Sequence, residues 1–175
     1  MRIKIFPRQS GLTLIEALIV VILFGLIASV AMPRFPSITK RTIEHTLEHN
    51  LNAIRNAIKL YAIQHNGRYP GQFRHTDGLK VTKAIEAKAA FKAQLLLYSD
   101  LEGKTSPIRT AAFPFGSYLS KGVPLNPLSP PSNEINIVLD NSHHILGTAD
   151  SKGVGWKIAV RTGEIIANHP GYDNR

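Results

Sequence analysis

The sequence predicts an α+β fold, in which a long N-terminal helix packs against a small antiparallel β-sheet and is accompanied by a second, shorter helix. Three features of the 175 residues predict it. An apolar run occupies residues 12–32, apolar residues at helical spacing follow it, and three short segments with strand character lie near the C-terminus. The hydrophobic pattern therefore changes from the period of a helix to that of a strand along the chain.

The apolar run is 21 residues long, and only four of these residues are not plainly apolar: Thr13, Glu16, Gly25 and Ser29. At about 1.5 Å of rise per residue, a helix of this length can cross a hydrocarbon core roughly 30 Å thick. Glu16 is the one ionisable residue of the run. Because a lone carboxylate is costly in lipid, we expect Glu16 to have a functional role.

Apolar residues continue beyond the run at intervals of three or four. They are Ile43, Leu47, Leu51, Ile54, Ile58 and Tyr61. This spacing predicts an amphipathic continuation of the first helix to about His65. The pair Asn66-Gly67 then provides a left-handed cap, and Pro70 follows soon after.

The middle of the chain predicts one helix between irregular segments. Residues 71–80 predict a loop, and Val81–Tyr98 predicts the second helix because apolar residues recur on one of its faces. Farther on, Pro127, Pro130 and Pro131 exclude regular structure.

The C-terminal part predicts three short strands, at Ile135–Leu139, Trp156–Val160 and Glu164–Asn168. Arg161-Thr162-Gly163 predicts the hairpin turn between the last two, with glycine at the position that needs it. Alternation within Trp156–Val160 indicates that one face of the sheet packs against the first helix.

Composition excludes several chemistries. The chain has no cysteine, so disulfides, thiolate catalysis and cysteine-ligated metals are excluded. The net charge of +9 falls to +6 if the three basic residues before Gly11 are removed with a leader. A basic chain permits contact with nucleic acid or anionic surfaces. We interpret Lys88 and Lys92 as part of a solvated helix face, and nucleic acid is not expected as a partner.

The N-terminus resembles a known signal. A basic leader, Gly11, an apolar residue and Glu16 occur in the order found in the class III signal of type IV pilins and type II secretion pseudopilins. The resemblance implies that a prepilin peptidase cuts between Gly11 and Leu12 and N-methylates Leu12. It also implies that Glu16 neutralises the N-terminal amine of a neighbouring subunit during assembly. Physical chemistry agrees, because an amine and a carboxylate that meet in a low dielectric satisfy each other.

Two later segments are also similar to G-type (major) pseudopilins. Residues 57–70 are similar to the end of the first helix in those proteins, and residues 115–128 to a proline-rich crossing. The resemblance thus implies a pilin-like fold. It divides the chain into a leader at 1–11, a transmembrane and assembly half of the first helix at 12–36, and a globular domain at 37–175.

The resemblance also implies a location and partners. The chain is expected to be a single-pass protein of the inner (cytoplasmic) membrane, with its C-terminal domain outside the cytoplasm, and to enter a periplasmic or surface filament. Its partners would be the prepilin peptidase, an assembly ATPase, a platform membrane protein and other pilin subunits, of the same or of different kinds.

Calcium is the one cofactor that the resemblance implies, because G-type pseudopilins bind it in an acidic C-terminal loop. The corresponding residues 140–155 contain only two carboxylates, whereas calcium takes six to eight oxygen ligands. The ligands available there would be Asp140, Asn141 and Asp150.

The sequence contains no enzyme signature, and we expect a structural subunit without catalytic activity. Two alternatives remain open. The chain could be a minor pilin that binds DNA or another ligand at the surface. It could also be a secreted or anchored protein with an ordinary signal peptide, for which Ser29 and Ala31 offer small residues before a cut at Met32. The sequence does not separate a secretion pseudopilus from a type IV pilus, or a major from a minor subunit, although the absence of cysteines and of a long acidic loop slightly favours the pseudopilus.

Overall fold

The computed structural model describes residues 13–31, 35–140 and 144–174. The chain divides into two compact units, Met1–Thr42 and Ile43–Arg175. The fold class is α+β, as predicted: three α-helices and two small sheets are present in the described residues.

In the first unit, α1 runs over Leu14–Ala31 and is apolar on all sides. Every side chain described between residues 14 and 27 is exposed. Among the described residues, no helix is both long enough and apolar enough to cross a membrane. The predicted span of residues 12–32 extends past α1 at both ends, and Leu12 and Met32 lie outside the described residues.

The second helix, α2, covers Phe35–Gln64. Pro36 is its second residue, where the missing N–H of proline costs no helical hydrogen bond. Beyond its end, Asn66 has a φ of 55° and the N–H of Gly67 donates to Ala62 O over 2.8 Å. The predicted left-handed cap is therefore confirmed. The predicted single helix from Leu12 to His65 is described as α1 and α2, and residues 32–34 between them lie outside the described residues.

The apolar stripe of α2 forms one wall of the core in the unit Ile43–Arg175. Leu47, Leu51, Ile54, Ile58 and Tyr61 are each at most 2% exposed, as their spacing predicts, and Ile43 is partly buried against them. The same cluster includes Ala87, Phe91 and Leu95 from the third helix, α3.

Helix α3 covers Ala84–Leu96 and is shorter at both ends than the predicted 81–98. Val81 is held outside the helix because its N–H donates to Gln72 O. At the other end, Leu97 is extended and leads into β1 (Tyr98–Ser99), which pairs with β2 (Thr105–Ser106). Contacts with other segments thus hold the residues at both ends of the predicted helix outside α3.

A three-stranded sheet, in the order β3-β4-β5, covers the core. Its strands are β3 (Ile135–Val138), β4 (Trp156–Ala159) and β5 (Glu164–Ala167). The pair β4–β5 is antiparallel, as predicted, and Gly163 takes a φ of 71° in its turn. The pair β3–β4 is parallel, so the sheet is mixed. The direction of this pair depends on the path of the long connection after β3, which the sequence pattern does not determine.

Both faces of the sheet are covered. Trp156, Ile158 and Val160 belong to the cluster that contains the α2 stripe, which confirms the predicted inward face. On the opposite face, Ala159 and Ile166 are buried together with Ile145 from the β3–β4 connection. This connection is therefore packed onto the sheet, and it contains the predicted calcium ligands.

Candidate functional site

The first candidate site is the start of α1, where Thr13 and Glu16 bond to each other. The Thr13 N–H donates to Glu16 Oε2 over 2.8 Å, and the Thr13 hydroxyl donates to the same oxygen over 2.7 Å. The Glu16 N–H lies 3.4 Å from Thr13 Oγ1. This reciprocal pattern is a capping box, in which a threonine before the helix and a glutamate three residues later satisfy each other.

Thr13 is a site residue that the sequence analysis did not assign. Its signal is present, since Thr-x-x-Glu before an apolar run is the pattern of a capping box. Of these two residues, the sequence analysis assigns a role only to Glu16, as the partner of a neighbouring subunit's amine. The structure adds that the carboxylate of Glu16 is bound within its own chain, at the N-terminal end of its own helix.

Gly11 and Leu12, the residues of the predicted cleavage and methylation, lie outside the described residues, as does Asn141. The cleavage position, the methylated residue and the intermolecular role of Glu16 therefore remain predictions.

The second candidate site is the connection between β3 and β4. Its described part, residues 144–155, is called the C-terminal loop below. Asp150 Oδ1 accepts a hydrogen bond from Lys157 Nζ over 3.0 Å, and Asp150 Oδ2 accepts one from Asn168 Nδ2 over 3.0 Å. Both bonds lower the pKa of Asp150, and the bond from Asn168 has the larger effect. Its carboxylate is thus bonded through both oxygens.

Asp140 lies elsewhere along the sheet. It pairs with Arg161 Nη1 at 3.5 Å, just beyond the end of β4, whereas Lys157 is the second residue of that strand. The two carboxylates are therefore each paired with a different cation. Within the described ranges no three side chains of the metal-ligating types lie close enough to hold an ion. Calcium takes six to eight oxygen ligands, and the two predicted carboxylate ligands instead each pair with a basic side chain of the same chain, so they do not fit a calcium site.

Comparison with known proteins agrees with the features of α1. Residues 6–32 match the prokaryotic N-terminal methylation motif. The chain is 31% identical over 84 residues to type II secretion system core protein G of Aeromonas hydrophila, covering 47% of this chain and 58% of that protein. It is 32% identical over 60 residues to the type IV narrow pilus major component PilA5 of Thermus thermophilus, covering 34% and 52%.

A third relative is the type IV major pilin protein PilA of Myxococcus xanthus, 39% identical over 62 residues, which covers 35% of this chain and 28% of that protein. The chain thus matches about half of the length of the first two relatives and less of the third. No solved structure matches the chain significantly.

The apolar helix α1, Leu14–Ala31, lies entirely within the matched methylation motif. By the motif and the three relatives, this chain is similar to the family of type IV pilins and type II secretion pseudopilins. Members of this family are structural subunits rather than enzymes. The relatives come from both a secretion system and pili.

Proposed function

We propose that this chain is a structural subunit of a type II secretion pseudopilus or a type IV pilus-like filament, without catalytic activity. It is made with a leader of residues 1–11, cut after Gly11 and N-methylated at Leu12 by a prepilin peptidase. The observation that carries the proposal is the methylation motif at residues 6–32, together with the capping box at the start of an apolar helix.

The apolar surface of α1 supports assembly through this helix. All side chains described between residues 14 and 27 are exposed, and most are large aliphatic residues. Exposed apolar surface on this scale is covered in a functional protein by lipid or by another protein. We propose that residues 12–32 hold the subunit in the inner membrane, and that the same surface then packs against other subunits.

We propose that Glu16 fixes the axial position of one subunit against the next. In lipid, a carboxylate needs hydrogen-bond partners, and Thr13 supplies two of them within the same chain. In the filament, the methylated amine of a neighbouring Leu12 adds a positive partner. Because an amine and a carboxylate attract strongly in a low dielectric, their pairing sets the axial position of one subunit against the next.

The interface is head-to-tail, because Glu16 of one subunit meets the N-terminus of another. Such heterologous contacts generate open fibres when the rotation does not close. An assembly ATPase and a platform membrane protein are the proposed partners that extract the subunit from the membrane. The C-terminal unit lies outside the cytoplasm and forms the filament surface.

Nucleic-acid binding is not part of the proposal. Of the lysines on α3, Lys88 forms an ion pair with Glu134, so it is already engaged within the chain.

The test is filament assembly by Glu16 variants, produced together with the peptidase and assembly proteins of the native system. Glu16→Ala should be cut and inserted normally but yield few filaments, because it leaves a neighbouring amine unpaired. Glu86→Ala, which removes an acid from the first turn of α3, is the control and should assemble normally. Normal filament yield from Glu16→Ala would refute the pairing.

A further inference from the structure

The strongest unassigned feature is the position of Lys157 beside the C-terminal loop. Its side chain is 15% exposed, although lysine is rarely buried to this degree. The Nζ atom donates to Thr148 O over 2.6 Å and to Asp150 Oδ1 over 3.0 Å. The ammonium therefore bridges a backbone carbonyl and a carboxylate of the same loop.

The contacts around Asp150 extend this arrangement into the protein. The Asp150 N–H donates to Asn168 Oδ1 over 2.9 Å, and Asn168 Nδ2 donates back to Asp150 Oδ2. Asn168 is 1% exposed and follows β5 directly. The middle of the loop is thus bonded to Lys157 of β4 and to Asn168, the residue after β5.

The loop also approaches Asn168 closely. A side chain at Gly153 would place its Cβ 2.6 Å from Asn168, so the loop backbone lies against this amide. Next to Asp150, the Ala149 N–H donates to Asp173 Oδ2 over 2.9 Å. Residues 148–153 are thus bonded to Lys157, Asn168 and Asp173, and Lys157 is the cation among these partners.

Oxygen atoms from a carbonyl and a carboxylate are what a bound cation requires. Here an ammonium already contacts both, with three N–H donors on one positive charge. We infer that Lys157 is the built-in cation of the C-terminal loop, so that the loop keeps its fold without a divalent cation. This inference concerns the folded unit and does not depend on filament assembly.

The test uses the full chain in detergent micelles. Lys157→Met keeps most of the aliphatic stem and removes the ammonium, and Lys152→Met removes an equal charge from an exposed position of the same loop. We expect Lys157→Met to lower the Tm by about 3 °C or more, because a charge-assisted hydrogen bond is lost. Lys152→Met should leave the Tm within about 1 °C, as most surface substitutions do.

Two further readouts distinguish a loop cation from a general packing role. Hydrogen exchange at the Ala149 and Asp150 amides should quicken at least tenfold in Lys157→Met, and much less in Lys152→Met. The Tm of the unaltered chain should be the same in calcium and in a calcium chelator. A chelator that lowers this Tm would overturn the inference, as would equal exchange rates in the two variants.

Discussion

Thr13 and Glu16 close the first turn of α1 on each other, with the threonine N–H and hydroxyl both donating to Glu16 Oε2 at 2.8 and 2.7 Å. Both residues lie after the proposed cut, so the pair is retained in the mature chain. The carboxylate of Glu16 therefore has hydrogen-bond partners within its own chain.

Removing the hydroxyl should weaken this turn. Thr13→Val keeps the branched shape of the side chain but loses its bonds to Glu16, whereas Thr13→Ser keeps the hydroxyl. We expect faster hydrogen exchange at the first amides of α1 in Thr13→Val than in Thr13→Ser, measured on micelle-bound protein. Equal exchange in the two variants would show that the capping box does not hold the helix start.

His65 should make stability depend on pH. Its ring is fully buried: Nδ1 donates to Tyr61 O over 2.8 Å, so Nε2 accepts from the Ser99 hydroxyl, 3.0 Å away. Burial lowers the pKa of His65 below its ordinary value of 6.5, although hydrogen bonds and Asp100 oppose the shift. The unfolded chain then binds the proton more readily, so the stability present above about pH 6.5 is lost as the pH falls through the lowered pKa.

The measurement is the free energy of unfolding at pH 8 and at decreasing pH. His65→Gln should be less stable than the unaltered chain at pH 8 and should lose less stability on acidification. His45→Gln, at an exposed position of α2, is the control and should keep the full pH dependence. If the free energy of unfolding falls equally in His65→Gln and His45→Gln as the pH is lowered, a group other than His65 is responsible for the pH dependence.

The Gln94 side chain bonds three backbone groups, two of them at Gly71 and Phe73 and the third at Gly103. Its Oε1 accepts from the Gly71 N–H over 2.8 Å, and its Nε2 donates to Phe73 O and Gly103 O over 3.0 and 2.8 Å. The side chain is fully buried. Gln94→Leu leaves these groups unpaired, and we expect it to cost about 3 kcal/mol of unfolding free energy, since each unpaired buried group costs roughly 1–3 kcal/mol.

Denaturant unfolding provides the measurement, and Gln72→Leu is the matched control. Gln72 also donates from Nε2 to a backbone carbonyl, that of Arg161, but at the surface. It should therefore lose less than about 1 kcal/mol. A similar loss in both variants would mean that burial of the Gln94 amide is not the source of its effect.

Alanine substitutions at Gly163 and Gly122 distinguish the cost of backbone strain from the cost of a steric clash. Both have positive φ, 71° and 88°, which costs a non-glycine residue about 1–2 kcal/mol. A Cβ at Gly163 would also lie 2.3 Å from the ring of Tyr69, whereas none of the described atoms is within 4 Å of one at Gly122. Gly163→Ala should therefore lower the Tm clearly more than Gly122→Ala, and equal shifts would contradict the packing of the hairpin turn on Tyr69.

The parts of the fold that follow from local pattern could be predicted from the sequence. The buried stripe of α2, its cap at Asn66-Gly67 and the β4–β5 hairpin with Gly163 all depend on residues close together in the chain. The bounds of α3 were wrong by two or three residues, because the β1–β2 pairing and the hydrogen bond from the Val81 N–H to Gln72 O compete with helix periodicity.

The parts that depend on distant contacts could not be predicted. The parallel β3–β4 pair follows from the path of a long connection, and the Lys157–Asp150 contact exists only once that connection is packed on the sheet. Gln94 was missed for a related reason, since a polar residue on an apolar helix face gives no sign of the backbone groups it will meet.

The proposed filament role depends on removal of residues 1–11 as a leader, which makes Leu12 the first residue of the mature subunit. Mass spectrometry of the N-terminal peptide from the mature protein in its native cells tests this directly. We expect Leu12 as the first residue, carrying one added methyl group. A mature chain that begins at Met1, or near Met32 as after an ordinary signal peptide, would contradict it.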